Sequence, residues 1–433
     1  MNIKPDTARG YEDPNSYDAI VIGAGPAGSS AAILLSRAGW LVALVEKQSF
    51  PRRKVCGECI AASNLPLLDA LGIGLEFDDA AGPELRKVAL MRGNRQVVAN
   101  LPSASNDQYA WGKALGREVL DSLLLDRARL VGVHVLQPWS LLNITGNVGN
   151  WHCEIRAQDS GVVRSLLAPI VIDAHGSWEE LPFARRRENH HAVHRGSDLL
   201  AFKANFRHAT LEEGLLPILS FDGGYGGMVV AADAMTTIAC CIRRDRLKAY
   251  RASAPSLSAG DVVEALLKRA CKGVCVALHT ASREGPWLAT GALSPGIRLG
   301  TNDGLFRVGN AAGEAHPVIG EGMSMAIQSA WLLCTHLLTP ALRHADEIAW
   351  QRGIVHRYEA EWRREFTPRL RLAACFAHLL MGPATAAPTM ALMRVWPGVL
   401  TLGAKLGGKT RCAVDMSEMN KLISQLPMSA IKK

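Results

Sequence analysis

The stretch YDAIVIGAGPAGSSAAILLSRAGWLVALVEKQ, residues 17–48, decides the fold. Residues 17–22 are a short apolar run with Ile and Val, the composition of a strand buried on both faces of a parallel sheet. Gly23, Gly25 and Gly28 follow with GxGxxG spacing. The first permits a tight turn, the second lets a pyrophosphate approach the backbone, and the third packs helix on strand. Residues 29–38, rich in Ala and Leu, predict a helix that ends at Gly39. Residues 40–45 predict a second strand, and Glu46 then stands about 20 residues past the glycines, where an acid holds an adenosine ribose that carries no 2′-phosphate. Strand, glycine turn, helix, strand and acid together predict a site for FAD or NAD, which glycines alone do not separate.

The chain has 433 residues and is 48% hydrophobic, enough for more than one average domain and a sizeable core. Its formal net charge of +8 favours acidic partners or an anionic ligand. The N-terminus carries no apolar run before the first strand, so no signal peptide is expected, and no stretch reads as a membrane span. Ten cysteines without a secretory context predict reduced thiols and a cytoplasmic location. Cys56 and Cys59 form one CxxC without a second, and Cys271 and Cys275 share a helix face, so no metal site is expected. Arg185, Arg186 and Arg187, the pair Arg243 and Arg244, and the histidine-rich residues 190–194 lack interleaved aromatics, which argues against nucleic-acid binding.

Residues 305–334, LFRVGNAAGEAHPVIGEGMSMAIQSAWLLC, read as a strand, a loop and an Ala-rich helix. Gly309-Asn310-Ala311-Ala312 followed by Pro317, Gly320, Glu321 and Gly322 resembles the GD(A)A…PxxGxG motif of FAD-dependent hydroxylases, with Asn310 where that family usually carries Asp. The resemblance implies that this loop touches the ribitol and the flavin ring. A helix that starts near Gly322 would aim free N–H groups and partial positive charge at the reduced ring. Residues 171–179, VIDAHGSWE, resemble the family's DG motif through Asp173 and Gly176. Residues 116–133 resemble its R-x-x-L-D helix, which would bring Arg117 to the pyrophosphate, with a plain surface arginine as the alternative. FPRRKVCGECI, residues 50–60, resembles the PRxKVCGE loop of the halogenase and geranylgeranyl-reductase branch, which lies beside the isoalloxazine.

The resemblance implies an α/β fold: a Rossmann-like FAD-binding domain of the hydroxylase-like, glutathione-reductase-2 type, an antiparallel-sheet substrate domain and a helical C-terminal region. The expected division is 17–75, 107–190 and 281–345 for FAD, 76–106 and 191–280 for substrate, and 346–433 for the helices. The residues expected to contact FAD are Gly23, Gly25, Ala27, Gly28, Glu46, Lys47, Lys54, Cys56, Gly57, Arg117, Asp173, Gly176, Gly309, Asn310, Pro317, Gly320, Glu321, Gly322 and Met323. A redox-active Cys56/Cys59 pair stays open, and the apolar residues 372–406 either pack the core, cap the substrate cavity, or meet a partner or lipid.

With one glycine fingerprint taken by FAD, NAD(P)H is expected only as a transient reductant. The family's chemistry adds O2 to reduced flavin as a hydroperoxide, whose distal oxygen an aromatic ring attacks. His316 and Glu314 are the candidate bases; the bland alternatives are a backbone hydrogen bond for His316 and solvent exposure for Glu314. The whole chain also looks like flavoproteins that hydroxylate a tryptophan of a partner polypeptide during tryptophylquinone biogenesis. Rival readings are a small-molecule aromatic hydroxylase of secondary metabolism, a geranylgeranyl-reductase-like enzyme, a non-catalytic flavin scaffold and, lacking the WxWxIP signature, a halogenase.

Overall fold

The computed structural model describes residues 15–105, 107–177, 195–301, 303–338 and 347–415. Trp178, Glu179, the arginines at 185–187 and the histidine-rich stretch at 190–194 lie outside the described residues.

A five-stranded parallel sheet runs in the order Phe306–Arg307, Ile170–Asp173, Ala19–Ile22, Val42–Val45, His134–Leu136. Its central strands are buried at every position, as their unbroken apolar runs require. The helix Pro26–Arg37 starts three residues before the composition suggests, because Gly25 serves as N-cap and Pro26 occupies the first helical position, where no N–H is needed. This helix, Arg117–Leu130 and Gly322–Leu338 share one core on one face of the sheet. The other face is covered by an antiparallel meander, Trp139–Asn147, Asn150–Ala157 and Val163–Ala168. In its middle strand Trp151, Cys153, Ile155 and Ala157 alternate inward with exposed residues between them, the period of a half-buried strand.

The second sheet has eight strands. Its centre is Leu199–Arg207, Thr236–Arg243, Gly224–Val230 and Leu215–Phe221, all antiparallel neighbours. It is not purely antiparallel as expected: Leu215–Phe221 runs parallel to Lys87–Arg92, which pairs with Arg95–Asn100. It also recruits Ser282–Arg283 and Leu288–Leu293, a stretch the sequence reading assigns to the FAD-binding part. Strand pairing needs a free edge rather than sequence proximity, and Leu199–Arg207 supplied one.

The long helix Ile348–Met381 buries Ile354, Tyr358, Trp362, Phe366 and Leu370 at four-residue spacing, one stripe against the FAD-side core. Each such side chain contributes about 1.5–3 kcal/mol on burial. Tyr358 Oη donates to Arg307 O at 2.7 Å and Gln351 Nε2 to Pro169 O at 2.9 Å, tying the helix to the parallel sheet. Pro383–Val395 and Gly398–Leu406 then fold back toward the second sheet, with Met390, Met393 and Leu400 in its core.

Candidate functional site

One cavity of about 1040 Å³ runs from the glycine turn, past the loop that precedes Gly322, to the second sheet and the C-terminal helices. Ordinary small-ligand pockets span roughly 300–1,000 Å³, so this one accommodates a large ligand and a second molecule beside it.

At the nucleotide end the backbone dictates the residue type. Gly23 has φ +103, and a Cβ there would lie 2.6 Å from Ala174 O. A Cβ on Gly28 would fall 1.9 Å from Gly23 O, so this glycine permits the packing of helix on turn and does not itself line the cavity. At Gly25 the nearest atom to a Cβ is Arg117 Nη2 at 3.6 Å; the space there belongs to the cavity. Glu46 takes Ala24 N–H on Oε2 and Gln48 N–H on Oε1, both at 2.9 Å, and Arg52 Nη1 stands 3.1 Å from Oε1. Ala27, Lys47, Cys56 and Gly57 are also on the wall.

Three cations converge beside these glycines. Arg117 Nε and Nη2 donate to the two carboxylate oxygens of buried Asp121 at 2.7 and 2.8 Å. Burial opposes the Arg117 charge, but Asp121 outweighs it and holds the guanidinium above its ordinary pKa. Arg52 bridges Glu46 and Asp121. Lys54 has no salt bridge among the described residues, and burial, reinforced by Arg117 and Arg52, lowers its ammonium from 10.5 to about 8. Asp121 and Glu46 attract it only from beyond ion-pair distance, and a largely buried cation so weakly countered is costly. A pyrophosphate laid across Gly25 would supply a close counter-charge.

In the middle of the cavity stand Gly176, Gly309, Asn310, Pro317, Gly320, Gly322 and Met323. Asn310 Nδ2 donates to Ser177 Oγ at 2.6 Å, which fixes its amide at the wall. In front of Gly322, the first residue of its helix, a Cβ would meet nothing within 4 Å. Free helix N–H groups and open space there fit a flavin ring that gains negative charge on reduction. Lys54 without an ion pair, the cleared Gly25 and this helix start together fit FAD.

At the far end, Glu314 is on the wall: its Oε2 accepts from Arg298 Nη2 at 2.8 Å and Ser294 N–H at 3.3 Å. Opposite it run Tyr225, Gly226 and Gly227 of the second sheet. The apolar C-terminal stretch both packs the core and closes the cavity, through Phe376, Leu392, Met393 and Leu400.

Three expected residues are turned away from the cavity. Asp173 faces His175 and Arg307 and holds the turn that carries Gly176, because a carboxylate at the end of a buried strand takes the nearest donors. His316 Nδ1 lies 3.1 Å from Tyr225 Oη, with its ring edge-on to His378; burial, aided by His378, lowers it to about 4. The imidazole is thereby held neutral beside the Tyr225 hydroxyl and is not part of the cavity wall. Glu321 is fully buried at 3.2 Å from Lys409 Nζ, which also lies 3.5 Å from Cys59 Sγ. Burial raises the Glu321 carboxyl and the Cys59 thiol, while Cys59 and Glu321 hold Lys409 charged against its own burial.

Arg52, Asp121, Ser177, Arg298 and Lys409 were not singled out from the sequence. Two of them carry a signal: Arg52 is the arginine of the PRxKVCGE loop, and Asp121 is the acid of the R-x-x-L-D helix, four residues from Arg117. Arg243 and Arg244 pair with Asp245 and Asp198 at the surface.

The sequence profile described as the FAD binding domain matches residues 16–351. Conditioned medium factor receptor 1 of Dictyostelium discoideum is 25% identical over 381 residues, 82% of this chain and 69% of that protein. Tryptophan 2-halogenase of Chondromyces crocatus is 37% identical over 125 residues, 29% of this chain and only 23% of the halogenase. The solved myxobacterial chondrochloren halogenase, an FAD-dependent enzyme, superposes with a TM-score of 0.71 at 21% identity, covering 95% of this chain and 96% of its own.

Proposed function

The chain belongs to the FAD binding domain family, and from that premise we propose that it is a single-component FAD-dependent monooxygenase: it hydroxylates an aromatic ring with NAD(P)H and O2, specifically a tryptophan of a partner polypeptide in tryptophylquinone biogenesis. The observation that supports this reading is the continuity of one cavity from the dinucleotide cradle to a chamber whose wall carries Glu314. Bound FAD supplies the electrons taken from NAD(P)H and the activation of O2.

The chain's residues do the rest. Lys54, Arg52 and Arg117 hold the pyrophosphate, and Glu46 the ribose. Gly226 has no room for a side chain, since a Cβ would lie 2.8 Å from Ala239 O, and this bare strand leaves a flat surface for a planar ring. Glu314, steadied through Oε2, accepts the proton that the ring loses as it is hydroxylated. Apolar walls from Leu372, Phe376 and Met393 keep water from the reacting atoms. Leu379 and Leu392 line the cavity and are partly exposed, and in this reading a side chain of a polypeptide enters beside them. The net charge of +8 suits an acidic polypeptide. A relative named as a tryptophan halogenase supports the choice of an indole ring.

The same apolar wall favours a second reading, reduction of an isoprenoid double bond. The test measures NAD(P)H and O2 consumption by the FAD-loaded protein with a tryptophan-containing partner polypeptide, with small aromatics and with an isoprenoid, followed by mass spectrometry. Substrate-triggered O2 uptake and a gain of oxygen on the polypeptide support the proposal. Anaerobic saturation of an alkene, or a halide-dependent product, overturns it.

A further inference from the structure

Between Glu365 and Asp415 the chain has six Lys or Arg residues and no acid. Arg369 and Lys409 are buried, and Arg411 pairs with Glu365. Arg371, Arg394 and Lys405 are exposed and, among the described residues, have no ion pair. Exposed cations elsewhere are commonly paired, as in Arg86–Glu84, Lys87–Glu212 and Arg207–Glu284.

The same segment exposes large apolar side chains. Val395, Trp396 and Leu406 are 69%, 62% and 59% exposed, and Leu392 and Leu402 are exposed as well. Leu392, Val395 and Trp396 stand at i, i+3 and i+4, on one face of the turn that ends Pro383–Val395; Leu402 and Leu406 are four apart on Gly398–Leu406. The opposite sides, Met390, Met393 and Leu400, are already in the core. Such a face on a monomer signals an interaction site.

Its polar groups say which kind. Thr385 Oγ1 donates to Leu379 O at 2.9 Å, Thr389 Oγ1 to Thr385 O at 2.8 Å, and Thr401 Oγ1 to Asn100 O at 2.6 Å. The hydroxyls are turned onto the chain's own carbonyls and the backbone is helical. A peptide laid here would find few hydrogen-bond partners for its own N–H and C=O groups. Hydrocarbon loses nothing, tryptophan suits the water–lipid boundary, and cations without acids suit anionic headgroups.

We infer that this face seats the protein on an anionic lipid surface, with Leu392, Val395, Trp396, Leu402 and Leu406 at the headgroup boundary and Arg371, Arg394 and Lys405 against lipid phosphates. The contact is one of docking. No single helix among the described residues is long and apolar enough to cross a membrane; Ile348–Met381 and Pro383–Val395 satisfy length and composition only as a pair bent by 106°. Docking holds whichever ring the chamber accepts, and it brings the part of the cavity wall formed by Leu379 and Leu392 to the bilayer.

The test is flotation of the FAD-loaded protein with vesicles of phosphatidylcholine alone or with about 30% phosphatidylglycerol. Wild type floats with the anionic vesicles, roughly tenfold more than with the neutral ones, and added salt releases it. Val395→Asp with Trp396→Ser, and separately Arg394→Glu with Lys405→Glu, lose about tenfold or more while flavin content and Tm hold. Wild-type protein that floats with neither vesicle overturns the inference and leaves the face to a polypeptide. Float by both double variants equal to wild type overturns it too.

Discussion

Arg117 lays Nε and Nη2 against the two carboxylate oxygens of Asp121, four residues along the same helix, at 2.7 and 2.8 Å, while the guanidinium faces the cavity. The fork is thereby aimed before any ligand arrives, which lowers the ordering cost of binding a phosphate. Asp121→Asn keeps the size but loses the charge that anchors the fork. FAD affinity is expected to fall about tenfold, and Tm to drop because a buried guanidinium loses its counter-charge. Flavin fluorescence titration and thermal melts measure the two effects separately.

The glycines of the turn separate binding from folding. Gly25→Val fills cavity space and meets only Arg117, so the expected product is folded and colourless. Gly28→Ala drives a methyl into Gly23 O, 1.9 Å away, and is expected to lower Tm or prevent folding. Flavin absorbance and melting curves distinguish them, and a fully yellow Gly25→Val protein contradicts the cradle.

Lys54 makes FAD binding depend on pH. Its ammonium titrates at about 8 in the free protein against an ordinary 10.5, and a bound pyrophosphate raises it. Affinity is therefore level below pH 8 and falls as pH rises above it, because proton uptake then accompanies binding. The apo protein shows the opposite slope: the unfolded chain holds the proton up to 10.5, so the stability cost of burying the charge, about 3 kcal/mol, is present below pH 8 and disappears between 8 and 10.5. Lys54→Met is expected to remove both limbs in titrations and melts across that range.

Glu314 and His316 divide differently from their adjacency in sequence. Glu314→Gln retains FAD and loses roughly 100-fold in turnover, the scale of a missing general base. His316→Asn, off the wall and neutral above about pH 4, changes turnover less than Glu314→Gln does. Single-turnover oxygenation at fixed flavin content ranks them, and the reverse order would return His316 to the role of base.

A buried pair joins the cofactor loop to the second sheet. Lys203 and Glu58 are 0% and 1% exposed, and Thr237 Oγ1 donates to Glu58 Oε2 at 2.5 Å. Lys203→Met leaves Glu58 buried without a cation and is expected to cost about 3–5 kcal/mol, whereas adding Glu58→Leu recovers much of it. Denaturant melts of the single and double variants decide this.

Much of the cradle was legible because local backbone demands are written in adjacent residues. The turn at Gly23 to Gly28, the acid at Glu46 and the helix that starts at Gly322 each need only a short stretch of chain. His316, Asp173 and Glu321 were misplaced for a common reason. They lie within motifs that touch the cavity, but each side chain turned to partners far away in sequence: Tyr225, Arg307 and Lys409. The four central strands of the second sheet are antiparallel as expected, whereas the parallel pairing of Leu215–Phe221 with Lys87–Arg92 was not legible, since a strand edge accepts any segment with the right register.

From the amino-acid order alone came the dinucleotide turn, the buried parallel strands and the helix that starts at Gly322 on the cavity wall, because glycine conformation, apolar runs and helix starts act over a few residues. The tertiary structure decided which cations lack an ion pair, which acid faces the chamber, and that the C-terminal helices line it on one side and expose an apolar face on the other. Those outcomes depend on burial and on contacts between residues distant in the chain, where desolvation and pairing select among side chains that look alike in sequence.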